Sequence, residues 1–427
     1  MLRFCSSLLA LLLLSASGAL AQPDPSSPAP PDSGETVTAP TPDDPDETDW
    51  DTVRSSVEDR AADYVGAHEG HGALYNRESV IYRSPPPFRY NRVEGFVFGI
   101  GQEPLRFGEN DDHRLYGQLA YATGLNDVRY TIGLESQLYA TETTGLKLGA
   151  AYQEQTLSSD RWKTSYLENS LASAGFRHDF FDYHEAEGLS VYAVQDLPRT
   201  LQLTAGYRTE AHRALDVETN WSLFGSGSFR TNPAVEEGRL QAIVASLTGG
   251  QVTDREDLPE GKAFRLAATV ADGMGGDFSF YQYEGDARIF LPLTPDTRLG
   301  LRLRGGYATS GTPPQYQFAL GGIGSLRSYD QNAFRGTRTL LANAEYLIDG
   351  ASLFDDVLDD LFVAGLLDAG WVGGPTQSFR VDDVLPAAGF GIGLDEREVR
   401  LDITWPLRDV PGAGSGPSIW LRITPNF

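Results

Sequence analysis

Apolar residues recur at every second position through the last third of this chain, and that period limits what the chain can fold into. Leu299, Leu301 and Leu303 alternate with Arg298, Arg302 and Arg304, and Val399, Leu401, Ile403 and Trp405 alternate with Arg400, Asp402 and Thr404. A period of two puts each set on one face of a β-strand. The pattern continues upstream. Tyr130, Ile132, Leu134 and Leu138 share a face opposite Arg129, Glu135 and Gln137, and Tyr281, Tyr283, Ile289 and Leu291 are set against Gln282, Glu284, Asp286 and Arg288. A soluble sandwich buries such an apolar face in a core, whereas a transmembrane barrel turns it to lipid and keeps the polar face inside.

The ends of the chain favour the membrane reading. Arg3 followed by the leucine run Leu8 to Leu14 and the small-x-small triplet Ala19-Leu20-Ala21 reads as a signal peptide over residues 1–21. The chain ends on an aromatic, Phe427, the kind of residue expected of a barrel assembly signal. Past the signal, no segment reaches the roughly 18 consecutive apolar residues that a spanning helix needs. The single cysteine, Cys5, falls within the signal, so no disulfide, thiolate site or cysteine nucleophile is expected. Residues 22–50 carry eight prolines, eight acidic residues and no Lys or Arg, the composition of a disordered leader. Residues 51–89 read as a short periplasmic segment broken by Pro85-Pro86-Pro87, and residues 90–427 as one barrel.

Sixteen strand-like segments can be placed between Val93 and Phe427, the fifth of them Ser170 to Phe180. The fold class is therefore all-β, a transmembrane antiparallel barrel. If the first strand rises from the periplasm, the tight connections Gly124 to Asp127, Pro198 to Thr200, Thr294 to Asp296 and Asp395 to Glu398 are all periplasmic, while Arg213 to Arg239 and Thr309 to Arg338 are external loops. Ser158 to Asn169, Thr248 to Lys262 and Asp349 to Asp360 are then unusually long periplasmic links. An even strand number places both chain ends on the periplasmic side.

The segment Leu326-Arg327-Ser328-Tyr329, after Gly321-Gly322-Ile323-Gly324, resembles the Val/Leu-Arg-Gly-Phe/Tyr loop motif of the bacterial surface antigen superfamily, which includes BamA, TamA and the two-partner-secretion transporters. Serine stands where the family has glycine. The resemblance implies an external loop folded into the lumen, with its arginine meeting acidic residues on the next two strands. The positions matching those acids are Glu345, in Asn343-Ala344-Glu345-Tyr346, and Asp368, in Leu366-Leu367-Asp368-Ala369-Gly370, with Leu for the usual Phe. Strand parity agrees with this. If Ala342, Ala344 and Tyr346 face lipid, Glu345 faces inward, and Val363, Leu367 and Trp371 do the same for Asp368. The family's periplasmic POTRA domains are not expected here, because the residues before the barrel are too few to hold one.

Other constellations are weaker. His68-Glu69-Gly70-His71 spaces its histidines by three where a helical zinc motif needs four, so no metal is expected. His178, Asp182 and His184 could serve a hydrolase but fit a hydrophilic loop tip better. Gly389, Gly391 and Gly393 mark one strand face and not a phosphate-cradling turn. A net charge of -25, with three lysines against 31 arginines, disfavours nucleic acid as a partner. The expectation is a non-enzymatic outer-membrane barrel without cofactor, acting in protein insertion or translocation. Its expected partners are outer-membrane lipid, unfolded outer-membrane or secreted proteins, and a separate periplasmic subunit. A passive pore is the alternative, suggested by the inward arginines Arg129, Arg298, Arg302, Arg400 and Arg422.

Overall fold

The computed structural model describes residues 84–108, 112–255, 258–350, 361–394, 399–414 and 416–423. The expected signal peptide, leader, His68/His71 pair and terminal Phe427 lie outside these residues.

Sixteen strands form one antiparallel sheet in which each pairs with its neighbours in sequence, apart from two short strands set aside in a loop. They are β1 (Arg89–Asn91), β2 (Gly95–Phe107), β3 (His113–Ala122), β4 (Asp127–Ala140), β5 (Gly145–Leu157), β6 (His184–Leu197), β7 (Leu201–Arg213), β8 (Gly238–Arg255), β9 (Leu258–Val270), β10 (Tyr281–Thr294), β11 (Thr297–Ala308), β14 (Arg338–Asp349), β15 (Leu361–Gly373), β16 (Leu385–Leu394), β17 (Val399–Pro406) and β18 (Ser418–Ile423). The two set aside, β12 (Phe318–Leu320) and β13 (Phe334–Gly336), pair with each other between β11 and β14. No helix of the described residues is long and apolar enough to cross a membrane.

The alternation expected from sequence decides which face is which. On β4, Ile132, Leu134 and Leu138 are exposed, while Arg129, Thr131 and Glu135 are buried. On β11, Leu301 and Leu303 are exposed and Arg298, Arg302 and Arg304 are buried. An apolar face of this extent would be an aggregation surface in water. In lipid it is the favourable arrangement, and the buried face must then satisfy its charges internally. It does so by pairing. Arg129 reaches Glu185 at 2.8 Å, and Arg302 and Arg304 both reach Asp286, at 2.5 and 3.0 Å.

The fifth expected strand is a helix, α1 (Tyr166–Phe176). Ser165 accepts a hydrogen bond from the Glu168 backbone N–H and Arg177 closes the helix in the left-handed conformation, with φ 64°. Ser165-Tyr166-Leu167-Glu168 is a capping-box sequence, and residues 166–176 contain no Val, Ile or Thr to favour a strand. The sixteenth strand is supplied instead by the short β1. This correction changes the topology. With α1 removed from the strand count, 123–126, 158–183, 214–237, 271–280, 309–337, 374–384 and 407–417 all connect strands at one end of the sheet. At the other end the described connections are 141–144, 198–200 and 295–296. The long link at 158–183 thus moves to the long-loop end, and β8 and β9 extend to Arg255 and from Leu258, through most of the link expected at Thr248 to Lys262. The turn at 124–127 changes ends, against expectation.

Three segments occupy the inner face. Ser84 Oγ lies 2.6 Å from Thr131 Oγ1 and the Gln118 amide donates to the Pro85 carbonyl at 2.7 Å, so the chain runs along the inside of β3 and β4 before β1 begins at the long-loop end. The loop at 158–183 stacks Trp162 on the guanidinium groups of Arg304 and Arg302, at 4.2 and 4.8 Å. The loop at 309–337 is the third.

Candidate functional site

The loop at 309–337 is bent back by glycines that no other residue could replace without strain. Gly321, Gly322 and Gly324 have φ of 114°, 81° and 66°, and a Cβ at Gly324 would collide with the Lys163 carbonyl of the neighbouring loop. Gly322 N–H donates to the carbonyls of Leu326, at 3.0 Å, and Tyr329, at 2.9 Å, which folds residues 326–329 into a tight knot. Leu326 and Tyr329 pack in an apolar cluster with Leu320, Leu341, Leu385, Ala387 and Ala413. The Tyr329 hydroxyl donates to the carbonyls of Arg408, at 3.0 Å, and Pro386, at 3.2 Å. Ser328 is buried and its hydroxyl has no hydrogen-bond partner among the described residues.

That knot aims Arg327 at the wall. Its Nε and one terminal nitrogen grip both oxygens of Asp368, at 2.9 and 2.6 Å, and its other terminal nitrogen donates to Glu345 at 2.6 Å. The Arg327 backbone N–H also reaches Asp368, at 3.2 Å. Asn343 completes the arrangement by donating to Asp368 at 2.7 Å and to the Ser325 carbonyl at 3.0 Å. The register explains the convergence, because Asn343 and Asp368 are direct cross-strand partners and Glu345 follows two residues on, on the same inner face. A guanidinium is the side chain suited to this task, since its planar fork can hold one carboxylate side-on and keep a donor for a second.

The charges do not stop at the loop. Arg400 donates to both Glu345 oxygens, at 2.9 and 3.1 Å, and to Asp402 at 2.9 Å. Arg422, on the last strand, lies 4.0 Å from Asp402 and donates to Glu168 of α1 at 2.9 Å. Glu168 also accepts the Ile423 backbone N–H at 3.0 Å, while Ser170 on the same helix accepts the Tyr90 N–H at 3.1 Å. Helix α1 therefore bonds to both edge strands of the sheet, β1 and β18. Three cations (Arg327, Arg400, Arg422) face four anions (Glu345, Asp368, Asp402, Glu168) in one buried chain from loop to helix. Trp420 ties the same strand to the motif by donating its indole N–H to the Arg327 carbonyl at 2.6 Å.

Sequence reasoning reached only the first part of this chain. Parity turns Arg400 and Arg422 inward and suggests a pore lining, whereas in the structure they are buried and paired. Glu168 falls in the expected link Ser158 to Asn169, ahead of the expected strand Ser170 to Phe180, and nothing in that link marks it for the site. His178, Asp182 and His184 do not form a catalytic group. His178 meets Trp420 edge-on, His184 packs on His212, and Asp182 is held by Arg230, Arg335 and Asn332. Asn332 also accepts from Lys163 and donates to Asp160, so Asp182 and its partners bolt the loop at 158–183 to the loop at 309–337. No group of three or more potential metal ligands occurs among the described residues.

An antiparallel sheet of sixteen strands with an apolar outside and loops packed within defines an outer-membrane β-barrel. Residues 106–416 match the Omp85 superfamily domain, and the chain belongs to that superfamily. It is similar in fold to the crystal structure of BamA from Haemophilus ducreyi lacking POTRA domains 1–3, at 14% identity and a TM-score of 0.50, over 78% of this chain and 68% of that one. Two further structures are more distant: CdiB from Acinetobacter baumannii, at 13% identity and a TM-score of 0.45, and CdiB from Escherichia coli, at 11% and 0.41. Each alignment spans 78% of this chain and, respectively, 57% and 60% of the other. No curated protein matches the sequence.

Proposed function

We propose that this Omp85 barrel inserts polypeptides into the outer membrane or translocates them across it, with the Leu326–Tyr329 knot as its internal lock. The observation that carries the reading is the unbroken run of ion pairs from Arg327 through Glu345, Arg400 and Asp402 to Arg422 on the last strand. A loop that only blocked the lumen would need contact with the wall beside it. This one is coupled to an edge strand, the part of a sheet whose backbone is available to another chain. The substrates would be unfolded outer-membrane or secreted proteins, received with help from a separate periplasmic subunit. Depletion of the protein followed by profiling of the outer membrane tests this: selective loss of other barrels or of secreted proteins is expected, and an unchanged profile would refute it.

The passive-pore reading rested on the inward arginines, and their pairing weakens it. Arg129, Arg302, Arg400 and Arg422 each engage carboxylates, and Arg298 donates to the Thr294 and Pro295 carbonyls. In planar bilayers the purified protein should conduct little or fitfully. Large, steady conductance in both the native protein and Arg327→Ala would reverse this preference.

A further inference from the structure

The loop at 214–237 carries an apolar tip on the outside of the sheet. Residues 219–229, Thr-Asn-Trp-Ser-Leu-Phe-Gly-Ser-Gly-Ser-Phe, contain no charged side chain in a protein of net charge -25. Trp221, Leu223 and Phe224 are all exposed, and Phe224 stacks at 5.6 Å on Phe176, itself exposed at the end of α1. Their exposure does not come from loose structure. The backbone N–H groups of Leu223 and Phe224 donate to the carbonyls of Ala174 and Gly175, at 2.8 and 2.9 Å, and Arg177 ties the base of the tip together by donating to the Asn220 and Gly227 carbonyls. A rigid scaffold thus holds three large apolar side chains outward, at a desolvation cost in water that a loop has no structural need to bear.

What covers the tip follows from its neighbours. Trp221 packs at 5.1 Å on Phe96, and Phe96 stacks at 5.9 Å on Phe98. Phe96, Phe98 and Ile100 are the outward residues of β2, exposed like the rest of the lipid-facing band. Tyr90 lies buried beneath Trp221 and donates its hydroxyl to the Trp221 carbonyl at 2.5 Å. The apolar band therefore continues without a break from the wall of β2 onto the loop. An exposed tryptophan beside phenylalanines, with polar backbone and serines behind, is the composition suited to a membrane interface.

We propose that Trp221, Leu223, Phe224 and Phe176 form a lipid-binding tip that enters the outer leaflet beside β1 and β2. The tip fastens to the membrane the helix whose Glu168 and Ser170 hold β18 and β1. The proposal does not depend on the insertion or translocation reading, because any barrel in this membrane would present the same surface.

The test uses the full chain with Cys5→Ser, refolded into phosphatidylcholine vesicles, and an environment-sensitive fluorophore placed on Leu223→Cys. Leu301→Cys, on the lipid-facing band, and Asp382→Cys, on an exposed loop at the same end of the sheet, serve as the lipid and water references. The label at 223 should emit at the blue-shifted wavelength of the 301 label, be quenched by lipids bearing a nitroxide near the headgroup, and resist aqueous iodide. Emission and iodide quenching like those at 382 would overturn the proposal. So would efficient disulfide cross-linking of two unlabelled Leu223→Cys chains to each other, which would assign the tip to self-association. Should the Leu223→Cys chain lack the heat-modifiable band of a folded barrel, Phe224→Cys on the same tip carries the measurement.

Discussion

Replacing Arg327 with alanine exposes an asymmetry built into its two ion pairs. Glu345 would keep Arg400, which donates to both of its oxygens, at 2.9 and 3.1 Å. Asp368 would keep only neutral donors, the Asn343 amide at 2.7 Å and the backbone N–H of residue 327 at 3.2 Å. All three side chains are almost fully buried, so the energetic effect is set by which charge is left without a counter-charge. Removing one partner of a buried pair typically costs about 3–5 kcal/mol, mostly through the charge left behind. Arg327→Ala should fall in that range and, because Asp368 is the stranded group, most of the loss should vanish when Asp368 is neutralised as well.

The measurement is a pair of double-mutant cycles on denaturant unfolding in detergent or lipid, combining Arg327→Ala with Asp368→Asn and with Glu345→Gln. Coupling to Asp368 is expected at about 2–3 kcal/mol and coupling to Glu345 nearer 1 kcal/mol, both within the usual span for contacting residues. A larger coupling to Glu345 than to Asp368 would refute the argument that Arg400 compensates one carboxylate and nothing compensates the other. Additivity at both sites would mean that the loop arginine does not engage these strands at all.

Three further expectations follow from the same geometry. Ser328→Ala removes a buried hydroxyl that has no partner, so stability in the same unfolding assay should be unchanged or rise by up to about 1 kcal/mol, whereas bulkier residues should destabilise. Ser165→Ala deletes the N-cap of α1 and should cost about 1 kcal/mol, with faster hydrogen exchange in residues 166–176 as the local readout. Acid should loosen the loop at 158–183, seen as protease nicking. Burial raises the Asp182 pKa, but Arg230 and Arg335 outweigh it and hold the carboxyl below its usual range, so its contribution persists until pH falls below about 4.

The wall of the barrel was legible in the sequence because a strand with lipid on one side and packed charge on the other obeys a strict two-residue rule. Ile132, Leu134, Leu301 and Leu303 face out, and Arg129, Arg302 and Arg304 face in, as parity required. Parity also placed Glu345 and Asp368 inside, where the loop arginine meets them. What parity could not supply is the identity of each inner partner. Arg400 points inward whether it lines water or grips Glu345, and only the registers from β14 through β17, with the loop folded against their inner face, select the second. Burial of a charged side chain depends on what else fills the lumen. That filling comes from loops, whose sequences obey no period.

The one false strand shows how far a local misreading travels. Ser170-Leu171-Ala172-Ser173-Ala174 is built of small and apolar residues that tolerate either state, yet Ser165 and Glu168 three residues apart specify a helix start. Counting it as a crossing inverted the assignment of the first turn and made the link at 158–183 an anomaly. Reading it as a helix puts the link at 158–183 at the same end of the sheet as the long loops at 214–237 and 309–337. It also alters the relation between the chain ends. Without it β2 and β18 run in the same direction, from the long-loop end towards the turns, and two parallel strands cannot continue the antiparallel ladder found everywhere else in this sheet. The three residues of β1, antiparallel to β2, and the carboxylate of Glu168, which accepts the N–H of Ile423, are what the chain places at that junction. The helix that upset the strand count thus contributes side chains to the place where the regular sheet ends.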